Sequence, residues 1–557
     1  MMLNILQAYT GSNGLKRAII PVTALIACIA SVALSYINTW WLLGLLLFVP
    51  VVLLGLYDMI QTRWTILRNY PVAGRLRWLF YNLRPFLRAY VVEGDEEGKP
   101  YSYEARRLVY ARANQSPDTH PFGSELDLDA TEYTWLTHSI EPSDQPDISP
   151  RIDIGSSQCS QPYRASLLNV SAMSFGALSA AAVEALNKAA HIGDFYQDTG
   201  EGGISHYHLV HGGDLVWEIG SGYFGCRDNN GSFDEALFRE QSLRDEVKMI
   251  EIKLSQGAKP GHGGVLPASK VSREIAEARK VPVGEDCISP RGHSTFSTPV
   301  ELLEFAASLR DLSGGKPVGL KLCVGHIHEV MALMKAMLKT GIVLDFIVVD
   351  GAEGGSGAAP LEFSNHVGMP LKEGLVVVRN ALVGAGLRDK VRLAASGKIY
   401  SATGLAECLA IGADWCNAAR AFMFSIGCIQ AQRCHTGTCP TGITTQDPRR
   451  QRGLVVDVQA QRAANFQARS LEALADIVAA VGLNHPGELR PHHLFQRVSV
   501  KQSLPLDRVW HFLAENELVD AAEETPYAHW WNAARADSFK PLVEIDRVRN
   551  ESPRNAT

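Results

Sequence analysis

FIVVDGAEGGSGAAP, residues 346–360, is four apolar residues and an acid, then a loop with glycine at 351, 354, 355 and 357. An apolar run without alternation reads as a strand buried on both faces, as parallel strands are. The same texture recurs outward from it. LLNVSAM (167–173), LVWEIG (215–220), MIEIKLS (249–255), PVGLKLC (317–323), VRLAASG (391–397) and WCNAAR (415–420) are short apolar runs that end in small-residue turns. Between several of them lie amphipathic stretches such as PVELLEFAASLRDL (299–312) and HEVMALMKAMLKTG (328–341). This alternation predicts an α/β fold over residues 151–455, a (β/α)8 barrel with its site at the C-terminal mouth of the strands. A doubly wound open sheet shares the pattern.

Composition agrees with a globular enzyme: of 557 residues, 46% are hydrophobic and 48 are glycine. The net charge of −6, with no Lys/Arg block in the main body, argues against a nucleic-acid partner. The ten cysteines do not form a compact disulfide pattern, and three of them cluster.

Residues 1–60 are different in kind. The uncharged runs 18–36 and 40–57 are each about long enough to cross hydrocarbon as a helix, which predicts a two-span transmembrane hairpin. A cleaved signal peptide fits poorly, because two apolar runs stand in tandem. Lys16 and Arg17 precede the first span, and Arg63, Arg68, Arg75, Arg77, Arg84 and Arg88 follow the second. Both flanks of a hairpin share one side, so positive residues predict a two-pass cell-membrane protein with its catalytic domain facing the cytoplasm. Residues 61–150 read as a basic juxtamembrane and connecting subdomain, the part from Arg63 to Arg88 lying against membrane lipid or forming a solvated helix face. Residues 456–557 read as a helical C-terminal region, in which the helical spacing of 460–482 stops at Gly482.

Chemistry is concentrated at the ends of the apolar runs. GCIQAQRCHTGTCPTG (427–442) carries Cys428, Cys434 and Cys439 in a C-x5-C-x4-C spacing. Soft thiolates suit an iron–sulfur cluster or zinc, and three without a fourth suit a three-iron cluster. Zinc with His435 as fourth ligand, or free buried cysteines, are the other readings. SQGAKPGHGGVLPASKV (255–271) sets Lys259 among Gly257, Gly261, Gly263 and Gly264, which allow close backbone approach to a planar or anionic ligand. The loop 350–360 fails as a dinucleotide fingerprint, since Pro360 follows and no helix opens at once; a flavin-facing barrel loop is the better account. ASGKI (395–399) and AARAF (418–422) end the last two strands, where many barrels cradle phosphate. Lys321 in GLKLC is expected to enter the mouth, where a cation stabilises the anionic N1–C2=O edge of a reduced flavin. SAMSFGALS (171–179) and TGEGG (199–203) end earlier strands, and Glu201 is a candidate acid/base on the substrate side.

In this order SAMSFGALS, TGEGG, SGYFG (221–225), KLSQGAKPGHGG, the LKL lysine, DGAEGGSGAAP, the ASG loop and the cysteines ending CPTGITTQ resemble the FMN-binding synthase domain of glutamate synthases. The resemblance covers about residues 160–450 and points to a stand-alone, membrane-anchored branch. It implies FMN and a [3Fe-4S] cluster that passes it electrons, with reduced FMN giving a hydride to 2-iminoglutarate formed from 2-oxoglutarate and ammonia. By matching positions, Cys428, Cys434 and Cys439 bind the cluster, and Glu201, Gln256 and Lys259 surround the 2-oxoglutarate site. FMN falls to Ala172, Met173, Ser174, Lys321, Gly354, Gly355, Ser396, Gly397, Ala419 and Arg420. The cofactor carries the redox chemistry and the protein positions it.

The departures from that pattern are informative. The start, MMLNILQAYT, lacks the nucleophilic cysteine of a glutaminase domain, so ammonia is expected free or from a partner amidotransferase. No nicotinamide-binding glycine fingerprint is found, so an electron donor protein or a quinone-linked carrier is expected. Tyr223 replaces a family arginine and His262 a family glutamate, and both are expected to face the substrate. Two other functions therefore stand beside glutamate formation: synthesis of an N-substituted glutamate from a primary amine, and a membrane electron-transfer module.

Overall fold

The computed structural model describes residues 18–542; Lys16 and Arg17, the basic pair expected before the first span, lie outside them. The chain divides into two compact units at Tyr103/Glu104.

Eight strands of the second unit pair in parallel: β1 (Leu168–Val170), β2 (Gln197–Asp198), β3 (Leu215–Ile219), β4 (Val247–Lys253), β5 (Val318–Leu322), β6 (Phe346–Asp350), β7 (Arg392–Ser396) and β8 (Trp415–Ala418). They follow one another in chain order and close, with Cys416–Ala418 of β8 pairing Leu168–Val170 of β1. The structure is therefore a closed (β/α)8-type barrel and not an open sheet. Seven strands fall in the apolar runs; β2, two residues long, is marked in the sequence only by the TGEGG turn after it.

Local chemistry sets the helix boundaries. Thr298 Oγ1 accepts from the Glu301 N–H (3.1 Å), Glu301 accepts in return from the Thr298 N–H (3.2 Å), and Pro299 occupies the first turn of helix Pro299–Leu312. Helix Ile327–Thr340 stops at Gly341 in the left-handed region, φ 71°. At the closed end of the barrel the Asp345 carboxylate accepts from Arg310 Nε (3.0 Å), Arg310 Nη2 (2.9 Å) and the Val318 N–H (2.8 Å). This fully buried charge is thus paired and hydrogen-bonded, the condition under which burial is tolerated.

Helix Val456–Val481 packs along helix Ala180–Gly193 and stops at Gly482, φ 89°. Beyond it the chain is not helical throughout. Leu494–Ser499 and Gln502–Pro505 form a three-stranded antiparallel sheet with Thr134–Leu136, in which Trp135 stacks on Phe495 at 5.7 Å.

In the first unit both apolar runs are helical, as Ile19–Ser35 and, after the 3₁₀ turn Thr39–Leu42, as Leu43–Ile60. They pack on each other through small residues: a Cβ on Gly55 would meet Pro21 at 2.4 Å. Among the described residues one helix, Thr39–Ile60, is long and apolar enough to cross a membrane, with 22 residues, hydropathy 2.3 and 11% of its apolar window buried; Ile19–Ser35 is shorter. Asp58, fully buried at its end, accepts from Arg75 Nε and the Val72 N–H, both at 3.0 Å.

Candidate active site at the barrel mouth

Charged residues inside a barrel are the first thing the alternation of strand side chains must explain. Glu218 on β3, Glu251 and Lys253 on β4, and Lys321 on β5 interrupt apolar runs and face one another across the interior. Lys321 pairs with Glu218 in a very short contact and with Glu251 at 3.2 Å, and it is 3% exposed. It is held inside by two carboxylates, so the cation expected at the mouth stands on an acidic floor. Asp198 at the end of β2 completes that floor; one carboxylate oxygen each of Asp198, Glu218 and Glu251 lies within 4.8 Å of the others. Burial and the neighbouring carboxylate hold Glu251 well above its usual range, and burial, partly offset by Lys321, raises Asp198. Burial therefore pushes both carboxyls towards the protonated form, and Asp198 pushes Glu251 further.

Above this floor Lys253 reaches Glu201 at 3.2 Å and Glu218 at 3.9 Å. Ser289 Oγ donates to Glu201 at 3.1 Å. Burial alone would raise the Glu201 carboxyl, but Lys253, Arg279 and these hydrogen bonds outweigh it and bring it to about 2. Glu201 is thus an ionised acceptor at neutral pH and not a proton donor. Lys259, 3% exposed, donates to the Gly263 carbonyl at 3.3 Å, and burial lowers its ammonium below the ordinary lysine value despite the attraction of Glu201. Gln256, half-buried, begins the same loop, and its carbonyl accepts from the Lys259 N–H at 3.3 Å. The structure therefore brings Glu201, Gln256 and Lys259 to one mouth.

The glycines of this loop serve a closer purpose than expected. A Cβ at Gly257 would lie 1.8 Å from the Gly351 carbonyl, and one at Gly264 would lie 2.1 Å from Glu201 Oε1. The close approach is to the protein's own loops after β6 and β2, locking them together. Asp350 fixes the first of these contacts by accepting from the Gly257 N–H at 2.6 Å.

The expected flavin residues ring the same rim. Ala172, Met173 and Ser174 follow β1; Arg279 donates to Ser174 Oγ at 3.3 Å and to the Phe175 carbonyl at 3.1 Å. Ser171 and Ser396 bring their hydroxyls to 3.2 Å from opposite sides of β8. Gly397 follows Ser396 at φ 151°, and Ala419 stands at the neighbouring strand end. Gly354 and Gly355 lie in the loop after β6, with the Gly354 N–H bonded to the Gly351 carbonyl at 2.9 Å. Arg420 does not turn its guanidinium to this corner: it donates to the Ser356 carbonyl at 3.1 Å and approaches Cys434 Sγ at 3.6 Å.

Cys428, Cys434 and Cys439 share the loop after helix Arg420–Ser425, and all ten cysteines are free thiols. Burial pushes Cys428 up to about 11, while at Cys439 the hydrogen bonds from Thr441 and Thr444 outweigh burial and bring the thiol down to about 7. His435 is exposed. Tyr110 OH donates to the Cys428 carbonyl at 2.6 Å.

Tyr223 corrects an expectation. It is 1% exposed, and its hydroxyl accepts from the Ser294 and Thr295 N–H groups at 3.0 and 3.2 Å, with His293 Nδ1 at 3.2 Å. Its hydroxyl is spent on pinning the 293–295 loop from inside. Tyr223→Phe should cost about 1–3 kcal/mol by stranding those donors, read as a lower melting temperature with flavin content unchanged. His262 does stand at the rim, edge-on to Phe363 with centroids 5.4 Å apart.

Lys253, Glu218, Glu251, Asp198, Ser289 and Arg279 were not among the expected site residues. The usable signal for three of them was a charge at alternate positions of an otherwise apolar strand: Glu218 in LVWEI, then Glu251 and Lys253 in MIEIK.

The structure is thus a closed parallel barrel with interlocked glycine loops, buried ion pairs at its mouth and a loop that carries three cysteines. Residues 112–484 match the family described as the conserved region in glutamate synthase. The glutamate synthase large subunit-like protein YerD of Bacillus subtilis (strain 168) is 36% identical over 507 residues, 83% of this chain and 96% of that protein. The archaeal-type glutamate synthase (NADPH) of Thermotoga neapolitana is 33% identical over 321 residues, 57% of this chain and 60% of that protein. The chain belongs to the FMN-dependent glutamate synthase family of oxidoreductases.

Proposed function

We propose that this barrel forms L-glutamate by reducing 2-iminoglutarate, made from 2-oxoglutarate and ammonia, with electrons that reach FMN through a [3Fe-4S] cluster. The observation that carries the reading is the meeting of Glu201, Lys253 and Lys259 over a rim of small residues. A dicarboxylate needs cations, and Lys259 offers one with a proton on Nζ. The Gln256 amide can orient a carboxylate from the same loop. Glu201, held ionised, is a counter-charge for a cationic imine nitrogen and excludes a second anion from that position.

The groups around the rim support a flavin reading. Ser171 and Ser396 offer hydroxyls and Gly397 and Ala419 backbone N–H groups to a phosphate, Arg420 being engaged elsewhere. Ala172, Met173 and Ser174 would line one side, Gly354 and Gly355 the other, and Lys321 the floor. When bound, FMN supplies the hydride. The donor set at Cys428, Cys434 and Cys439 fits a cluster, being three reduced thiols on one loop next to two cations. An electron donor protein and, for ammonia, a partner amidotransferase complete the scheme.

Anaerobic reoxidation of the reduced protein tests it. 2-Oxoglutarate plus ammonia should reoxidise the flavin and yield glutamate. Reoxidation by methylamine but not ammonia would favour N-substituted glutamate synthesis, which the aromatic wall of His262 and Phe363 could accommodate. No reoxidation by either would sink the synthase reading and leave the electron-transfer module.

We also infer a two-pass cell-membrane protein with its barrel on the cytoplasmic side. The exposed apolar helices and the run of arginines from Arg63 to Arg88 that follows them support it. The chain should stay in the membrane pellet through alkaline carbonate; release into the supernatant would refute the anchor.

A further inference from the structure

Two cations reach the cysteine loop, one at the Cys434 carbonyl and one at the Cys434 sulfur. Lys270 ends the 3₁₀ turn Ala268–Lys270, which follows the loop that carries Lys259. Its ammonium, 6% exposed, donates to the carbonyls of Cys434 at 2.8 Å and Thr444 at 3.2 Å. Among the described residues no ion pair to a carboxylate is formed by Lys270, and its two partners are carbonyls of the cysteine loop and of the segment just after it. Arg420 places its Nη1 3.6 Å from Cys434 Sγ and its Nη2 3.1 Å from the Ser356 carbonyl. Cys434 therefore meets two positive charges, one tied to the substrate-side loop and the other to the glycine loop after β6.

Burying a lysine against two carbonyls is costly unless its charge is used. The loop it binds supplies thiolates, and a cluster held by three of them carries net negative charge that grows by one unit when an external one-electron carrier reduces it. In a low-dielectric site a nearby fixed cation offsets that added charge strongly. Charge and hydrogen bonding around the sulfurs are among the levers that set cluster potentials.

We propose that Lys270 is a positioning residue for the iron–sulfur cluster: it clamps the loop through the Cys434 and Thr444 carbonyls and, with Arg420, raises the potential at which the cluster accepts its electron. The inference rests on the cluster reading given above. It also gives the three-residue turn after the substrate loop a purpose, because the turn ties the Lys259 loop to the place where electrons enter.

The experiment is an anaerobic reductive titration of the full-length protein with dithionite and mediators, followed by electron paramagnetic resonance, with iron and acid-labile sulfide measured on each sample. Wild type should hold iron and sulfide near three to four and show the signal of an oxidised three-iron cluster. Lys270→Arg should titrate close to wild type. Lys270→Met and Arg420→Met should each titrate at a more negative potential, with FMN content unchanged. If Lys270→Met loses its iron while Lys270→Arg keeps it, the clamp is supported and Arg420→Met carries the test of potential. Iron-loaded Lys270→Met and Arg420→Met samples that titrate at the wild-type potential would overturn the proposal. Wild-type protein without iron or sulfide would instead refute the cluster reading beneath it.

Discussion

Lys259→Ala should lose turnover with artificial electron donors by about 10²- to 10⁴-fold, the range a positioned proton donor contributes, while its flavin spectrum stays unchanged. The geometry is the reason. Lys259 is buried on the loop that meets Glu201, and its Nζ donates to the Gly263 carbonyl at 3.3 Å, one of the three donors an ammonium offers. It does not touch the residues proposed for the flavin phosphate, so cofactor content should not follow activity. The pH dependence has a definite sign. Burial lowers the Lys259 ammonium, so the protonated form is lost at lower pH than for an ordinary lysine near 10.4. The alkaline limb of the rate profile should therefore fall below that value and vanish in the variant. Glu201, already ionised from about 2 upward, contributes no limb between neutral pH and its own titration. Steady-state rates across pH check both points, and turnover retained in Lys259→Ala would remove this residue from the chemistry.

The parts of this fold legible in the sequence are those set by short-range rules. Buried parallel strands announce themselves as apolar runs, and glycine or a capping box marks where helices stop and start, as at Gly341, Gly482 and Thr298. β2 has no pattern to read at two residues, and only its turn betrays it. The site was legible at its glycine loops and cysteines because spacing carries those motifs. What lay hidden depends on which strands face each other across a closed barrel. Lys321 meets Glu218 from 103 positions away, and Lys253 at the end of β4 reaches past β3 to Glu201 after β2. Direction was hidden too. Arg420 sits at the expected strand end and points to Cys434, and Tyr223 occupies a motif position yet turns inward to a loop. A motif fixes where a residue stands along the chain, and packing decides what its side chain touches.

The same barrel floor yields the largest expected change in stability. Lys321→Met should destabilise the protein by about 3–5 kcal/mol at neutral pH, the cost of stripping the partner from buried charge. With the lysine gone, Asp198, Glu218 and Glu251, gathered within 4.8 Å and almost fully buried, lose their central cation. Asp198 and Glu251 are already held above the ordinary carboxylate range by burial, and Lys321 is what draws Asp198 back down. Its removal raises them further in the folded state than in the unfolded chain. A carboxyl raised on folding favours the protonated form, so its penalty is absent below the unfolded value near 4 and grows as pH rises through it. The variant should accordingly melt closest to wild type in mild acid and fall further behind toward pH 8. Lys321→Met/Glu218→Gln, which removes one charge of each sign, should recover much of the loss, because a neutral amide no longer demands a counter-ion. Thermal melts of the two variants and wild type between pH 5 and 8 decide it. A Lys321→Met deficit that is the same at every pH would mean that packing, and not the buried charge, is what Lys321 provides.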